Sequence, residues 1–141
     1  MLERSSSQRP RALIVEDEAL IALGLQAELE TLGFDVCGFA ANTNQAISCA
    51  INDRPDVVIM DIYLNGARDG IEAARWLREM FGVPIVFVTA YDDTGMQQRI
   101  KQQVPDAPVL SKPLYGNRLV GQNRCFGVCA VSVPILRLSG G

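Results

Sequence analysis

The stretch VVIMDIYLNG, residues 57–66, decides how this chain is read: four apolar residues, one carboxylate, then a turn. A run that is apolar at every position marks a strand covered on both faces, which is the habit of parallel sheets. Closing such a strand on Asp61 poses a problem. A carboxylate is costly to desolvate unless a cation or hydrogen-bond donors meet it.

Outward from this stretch, strand and helix patterns alternate. Residues 11–15, RALIV, form a short apolar run. The segment that follows has Ile21, Leu25, Leu29 and Leu32 at helical spacing and Gly33 as a stop. Residues 35–40, DVCGFA, read as a second strand, and Ala46, Ile47, Ala50 and Ile51 share one helical side behind an Asn or Thr cap. Beyond the central stretch, Ile71, Ala74, Leu77 and Phe81 mark a third helix. Residues 84–89 form a fourth strand, 94–103 a short polar helix, and 107–111 a fifth strand. Alternation of this kind predicts an α/β fold, a doubly wound parallel five-stranded sheet with helices on both faces.

At 141 residues, 48% hydrophobic and 21% charged, the chain suits one globular domain with a sizeable core. The expected boundaries are a flexible segment 1–10, a domain 11–124 and an apolar tail 125–141. The net charge of −3 argues against nucleic acid as a partner, because phosphate backbones are met by clustered Lys and Arg. There is no histidine, which excludes Ser-His-Asp catalysis, His-ligated zinc and any phosphohistidine carried by this chain. The cysteines 37, 49, 125 and 129 form no C-x-x-C pair, and Cys37 and Cys49 read as small buried hydrophobes with free thiols. The first eleven residues lack the apolar core of a signal peptide, and the longest apolar stretch is too short for a bilayer. The expectation is a cytoplasmic protein without a membrane partner.

In open sheets of this class the functional crevice lies at the carboxyl ends of the strands, where strand order reverses. The first strand runs out into Glu16 and Asp17, the third into Asp61, the fourth into Thr89, and the fifth into Ser111 and Lys112. Taken singly, Asp17 reads as a helix cap, Asp61 as a turn residue and Lys112 as a solvated charge. Together at successive strand ends they define a site. Carboxylates so gathered repel one another unless a cation intervenes, and Mg²⁺ suits a few carboxylates, a carbonyl and several waters. One carboxylate can then act as an aspartyl-phosphate nucleophile, with Lys112 neutralising phosphoryl oxygens and Thr89 donating a hydrogen bond.

At LIVEDE (13–18), VVIMDI (57–62), DGIEAARWLR (69–78), PIVFVTA (84–90) and LSKPL (110–114) the sequence resembles the receiver domain of two-component response regulators, of the single-domain type. The resemblance implies a flavodoxin-like (βα)5 sheet of order 2-1-3-4-5. It implies Asp61 as phosphoacceptor, Glu16, Asp17 and Asp61 as ligands of Mg²⁺, and the backbone carbonyl of Tyr63 as a further ligand. Thr89 takes the part of the switch hydroxyl and Lys112 that of the phosphate-binding lysine, with a cis bond expected before Pro113. The phosphoryl donor would be a histidine on a sensor histidine kinase or a histidine phosphotransfer protein. The output partner is unspecified, and the C-terminal face is the place for a homodimer. Such a chain is a phosphoacceptor that promotes its own phosphotransfer and slow autodephosphorylation, not an enzyme acting on a separate substrate.

Three departures stand against the family pattern. Val109 occupies a position usually aromatic in the family, and the loop after Asp61 is about one residue longer than usual. From Tyr115 onward the glycines, β-branched residues and Pro134 make a poor helix, so an atypical segment is expected in place of a full fifth helix. Two other classes compete. A phosphatase of the haloacid dehalogenase style would want an Asp two residues beyond the nucleophile, where Tyr63 stands. A non-phosphorylated interaction module would be expected to lack one of the acidic, Asp or Lys positions, all of which are present. The runner-up is a receiver module of a longer regulator.

Overall fold

The computed structural model describes residues 9–64, 69–89 and 94–111. Five strands, β1 (Arg11–Val15), β2 (Asp35–Ala40), β3 (Val57–Asp61), β4 (Ile85–Thr89) and β5 (Val109–Ser111), form one parallel sheet of order β2-β1-β3-β4-β5. Four helices connect them: α1 (Ala19–Thr31), α2 (Thr43–Asp53), α3 (Asp69–Phe81) and α4 (Thr94–Gln103). This is the flavodoxin-like arrangement. The tail 125–141, the fifth-helix region and the Lys112-Pro113 bond lie outside the described residues.

The central strands are apolar between their ends because successive residues bury into opposite layers. Leu13, Val15, Val58, Met60, Ile85 and Phe87 pack with residues of α2, α3 and α4. Ala12, Ile14, Val57, Ile59, Val86 and Val88 pack with Ala22, Leu25 and Leu29 of α1. The helical spacing found the right helices but missed part of their rotation. Ile21, Ile51 and Phe81 are exposed, and the small residues Ala22, Ala46 and Ala50 are what seat α1 and α2 on the sheet. A close-packed layer favours alanine where a helix approaches a sheet; Ala46 and Ala50 are on the side that the spacing predicts, and Ala22 is the one it leaves out.

Local rules set the boundaries. Asn42 caps α2, its Oδ1 accepting the Gln45 N–H at 2.9 Å, while Gln45 Oε1 accepts the Ala41 N–H at 2.8 Å. Gly33, at φ 100°, turns the chain after α1, where a side chain would be strained. In β2 the register skips from Val36 to Gly38 opposite Ala12 and Leu13, so Cys37 is an extra residue in this edge strand. Cys37 and Cys49 are free and half-buried, and burial pushes both thiols above their usual range. Among the described residues no helix is long and apolar enough to cross a membrane.

Candidate functional site

Strand order reverses at β1, whose neighbours are β2 on one side and β3 on the other. At the carboxyl end of this pair the sheet brings together Glu16, Asp17 and Asp61, one carboxylate oxygen of each lying within 4.8 Å of the others. Glu16 and Asp61 are buried at 6% and 5% exposure, and Asp17 is exposed, so the cluster opens to solvent on one side. Backbone pairing fixes its position. Val15 pairs with Met60, which leaves Glu16 and Asp61 as the next residues on adjacent strands.

Two buried carboxylates demand donors. The Glu18 N–H donates to Glu16 Oε2 at 3.3 Å, and the Tyr63 N–H donates to Asp61 Oδ1 at 3.2 Å. The Glu16 N–H itself donates to the Ala40 carbonyl at 2.9 Å, tying the acidic turn to the end of β2. The N-cap of α1 is Glu18 rather than Asp17, and no side chain caps it. Asp17 therefore keeps its place in the cluster instead of serving as a cap. The donor set is all hard oxygen with a solvent-facing opening, which fits a small divalent cation such as Mg²⁺.

Thr89, also buried, ends β4 next to β3 and pairs with Ser111 of β5. Lys112 follows that partner directly in sequence and lies outside the described residues. Tyr63 is half-buried and packs against the core shared by the sheet with α2, α3 and α4, and its N–H meets the Asp61 carboxylate. Val109 is half-buried against the same core, so no aromatic ring occupies its position.

Sequence reasoning passed over Gly70. The Gly70 N–H donates to the Ile62 carbonyl at 3.0 Å, and a Cβ there would sit 2.0 Å from the Asp61 carbonyl oxygen. The available signal was a glycine opening an otherwise strong helix, where it costs helix propensity and so needs a reason.

A switch-point acidic cluster on a 2-1-3-4-5 sheet defines a class, and the chain belongs to the response regulator receiver domain family, whose model matches residues 12–122. Among individual proteins it is similar to the phyllosphere-induced regulator PhyR of Methylorubrum extorquens, 37% identical over 92 residues, which are 64% of this chain and 34% of that protein. The transcriptional regulatory protein PdtaR of Mycobacterium tuberculosis is 37% identical over 91 residues, 64% of this chain and 44% of that one. The chain thus spans less than half the length of these relatives. Among solved structures, the signal receiver domain of a modulated diguanylate cyclase from Desulfovibrio desulfuricans G20 superposes with a TM-score of 0.73 at 35% identity, covering 92% of this chain and 96% of that one. The receiver domain of PhyR from Erythrobacter litoralis gives 0.67 at 27% identity, covering 90% of each.

Proposed function

We propose that this receiver domain is a Mg²⁺-dependent phosphoacceptor switch in a two-component phosphorelay, with Asp61 as the acceptor. The observation that carries the reading is the convergence of Glu16, Asp17 and Asp61 at the topological switch point. Glu16, Asp17, Asp61 and the Tyr63 carbonyl would hold Mg²⁺. The ion, when bound, supplies positive charge that offsets the gathered carboxylates and the incoming phosphoryl oxygens.

A carboxylate oxygen of Asp61 attacks the phosphorus of a phosphohistidine on a kinase or phosphotransfer protein. A P–O bond forms, the P–N bond breaks, and the electron pair returns to the imidazole, which takes up a proton. The residues contribute position and electrostatics. The Tyr63 N–H holds one carboxylate oxygen of Asp61 in place, and the Glu18 N–H orients Glu16. Lys112 neutralises phosphoryl oxygens, and the Thr89 hydroxyl donates to one of them and carries the signal into its loop. With Val109 in place of an aromatic residue, that signal moves without a rotating ring. The domain organisation we propose is 11–124 for the receiver, preceded by 1–10 and followed by the tail 125–141, with cytoplasmic location and an output or self-association face near the C-terminus.

A second reading, a receiver module of a longer regulator, is favoured by one observation: relatives such as PdtaR extend well beyond the matched region. It leaves the chemistry unchanged. Incubation with acetyl phosphate and Mg²⁺ should add one phosphoryl group to the intact protein by mass spectrometry, and none after Asp61→Asn. Equal labelling of the variant, or no labelling of the wild type, refutes the reading.

A further inference from the structure

We propose that Gly70 is a positioning residue for the phosphoacceptor: its lack of a side chain lets the first turn of α3 rest on the backbone of Asp61 and Ile62. That seat fixes the segment from Asp61 to Tyr63 against the Glu16 and Asp17 pair. The proposal rests on the reading of Asp61 given above and adds to it a control on the geometry of the site.

Gly70 is the second residue of α3, and among the described residues the glycines at positive φ are Gly33 and Gly82, so conformational freedom is not what the position requires. Space is. A Cβ would lie 2.0 Å from the Asp61 carbonyl oxygen, 2.8 Å from the Ile62 carbonyl oxygen and 2.9 Å from Ile62 Cα. All three are backbone atoms, which cannot swing aside as the end of a long side chain can. At the same point the Gly70 N–H, one of the donors that a helix start leaves unpaired, donates to the Ile62 carbonyl at 3.0 Å. One residue further on, the Tyr63 N–H returns to Asp61 Oδ1. A continuous line of contacts therefore runs from the start of α3 through Ile62 to the carboxylate.

A methyl group at Gly70 must lift α3 off the strand end or push the Asp61 peptide away. Glu16 and Asp17 are carried by β1 and do not follow that movement. The three carboxylates then lose register with one another. Mg²⁺ demands near-octahedral geometry, and residues that orient ligands from behind cost about 10–100-fold in metal affinity when changed.

The test compares full-length wild type, Gly70→Ala and Leu29→Ala, the last removing a buried side chain from the α1 layer, the core cluster that α3 does not share. Mg²⁺ affinity is measured by calorimetry and labelling by acetyl phosphate at saturating Mg²⁺, both well below each melting temperature. Gly70→Ala should weaken Mg²⁺ binding about tenfold or more and leave labelling slow even at saturation. Leu29→Ala should lose stability and keep both. Wild-type Mg²⁺ affinity in Gly70→Ala, or an equal loss in Leu29→Ala, overturns the proposal. A second measurement needs no variant. If the Gly70 seat positions the metal donors, Mg²⁺ must in turn stabilise the seat, because coupling between sites is reciprocal. Saturating Mg²⁺ should slow hydrogen exchange at the Gly70 amide more than at Ala74 and Leu77 of the same helix, and uniform slowing contradicts the proposal. Failure of the wild type to label at all refutes the Asp61 reading, whereas the binding and exchange results judge Gly70 separately.

Discussion

Asp61 is a buried charge set beside two others, and its neighbours decide what it does. Two unit charges about 4 Å apart at an effective dielectric near 20 repel by roughly 4 kcal/mol, so without a cation the Glu16, Asp17 and Asp61 cluster opposes folding. Asp61→Asn keeps an oxygen to accept the Tyr63 N–H while removing one charge. In a chelator, therefore, Asp61→Asn should melt above wild type by several degrees, given about 2–8 °C per kcal/mol for domains of roughly 60–250 residues. Added Mg²⁺ should raise wild type and close the gap, because a ligand of the folded state stabilises it by mass action. Thermal melts with and without Mg²⁺ check both, and a variant that melts below wild type in chelator contradicts the repulsion. These residues were legible in the sequence because a charge ending an apolar run is costly without a purpose. Gly70 was not legible as a site residue, since a glycine records only that something comes close and not what it is.

At the scale of elements, each strand and helix follows from a local pattern, and the misjudged details share one cause. The stretch 57–60 reads as strand because burial on both faces leaves no polar position before Asp61 closes it. Helical spacing places Ala46, Ala50 and Ala74 on buried faces, as they are, whereas Ile21, Ile51 and Phe81, read onto the same stripes, are exposed. Periodicity reports a stripe and not which neighbour will fill it. The α2 cap is a case where the local rule sufficed, since Asn42 was one of two candidates and its amide oxygen takes the Gln45 N–H. Asn42→Ala should cost about 1 kcal/mol in urea denaturation with an unchanged m-value. A loss of no more than a few tenths would show that the return contact from Gln45 holds the helix start without the cap. The α3 terminus is secured differently, by Arg78 reaching both the Gly82 carbonyl at 3.0 Å and the Asp106 carboxylate. That contact between distant segments left no mark in the sequence.

The whole molecule is a sheet that gathers residues far apart in the chain at one edge. Glu16 and Asp17 meet Asp61 because β1 and β3 are neighbours, and Thr89 ends β4, the next strand in order. The order 2-1-3-4-5 was expected from the resemblance, while alternation alone gave only a parallel sheet with helices on both faces. The site's position at the carboxyl ends was expected from the fold class, and the structure places the acidic trio there. In the proposed function the phosphoryl group resides on the carboxylate of Asp61, delivered with the help of Mg²⁺. The most direct measurement is reductive trapping: labelling with acetyl phosphate and Mg²⁺, reduction with borohydride, which converts an aspartyl phosphate to homoserine, and peptide sequencing by mass spectrometry. Homoserine is expected at position 61 alone, and none when a chelator replaces Mg²⁺. Homoserine at position 17 or elsewhere in the chain, or labelling at 61 that is indifferent to Mg²⁺, would contradict it.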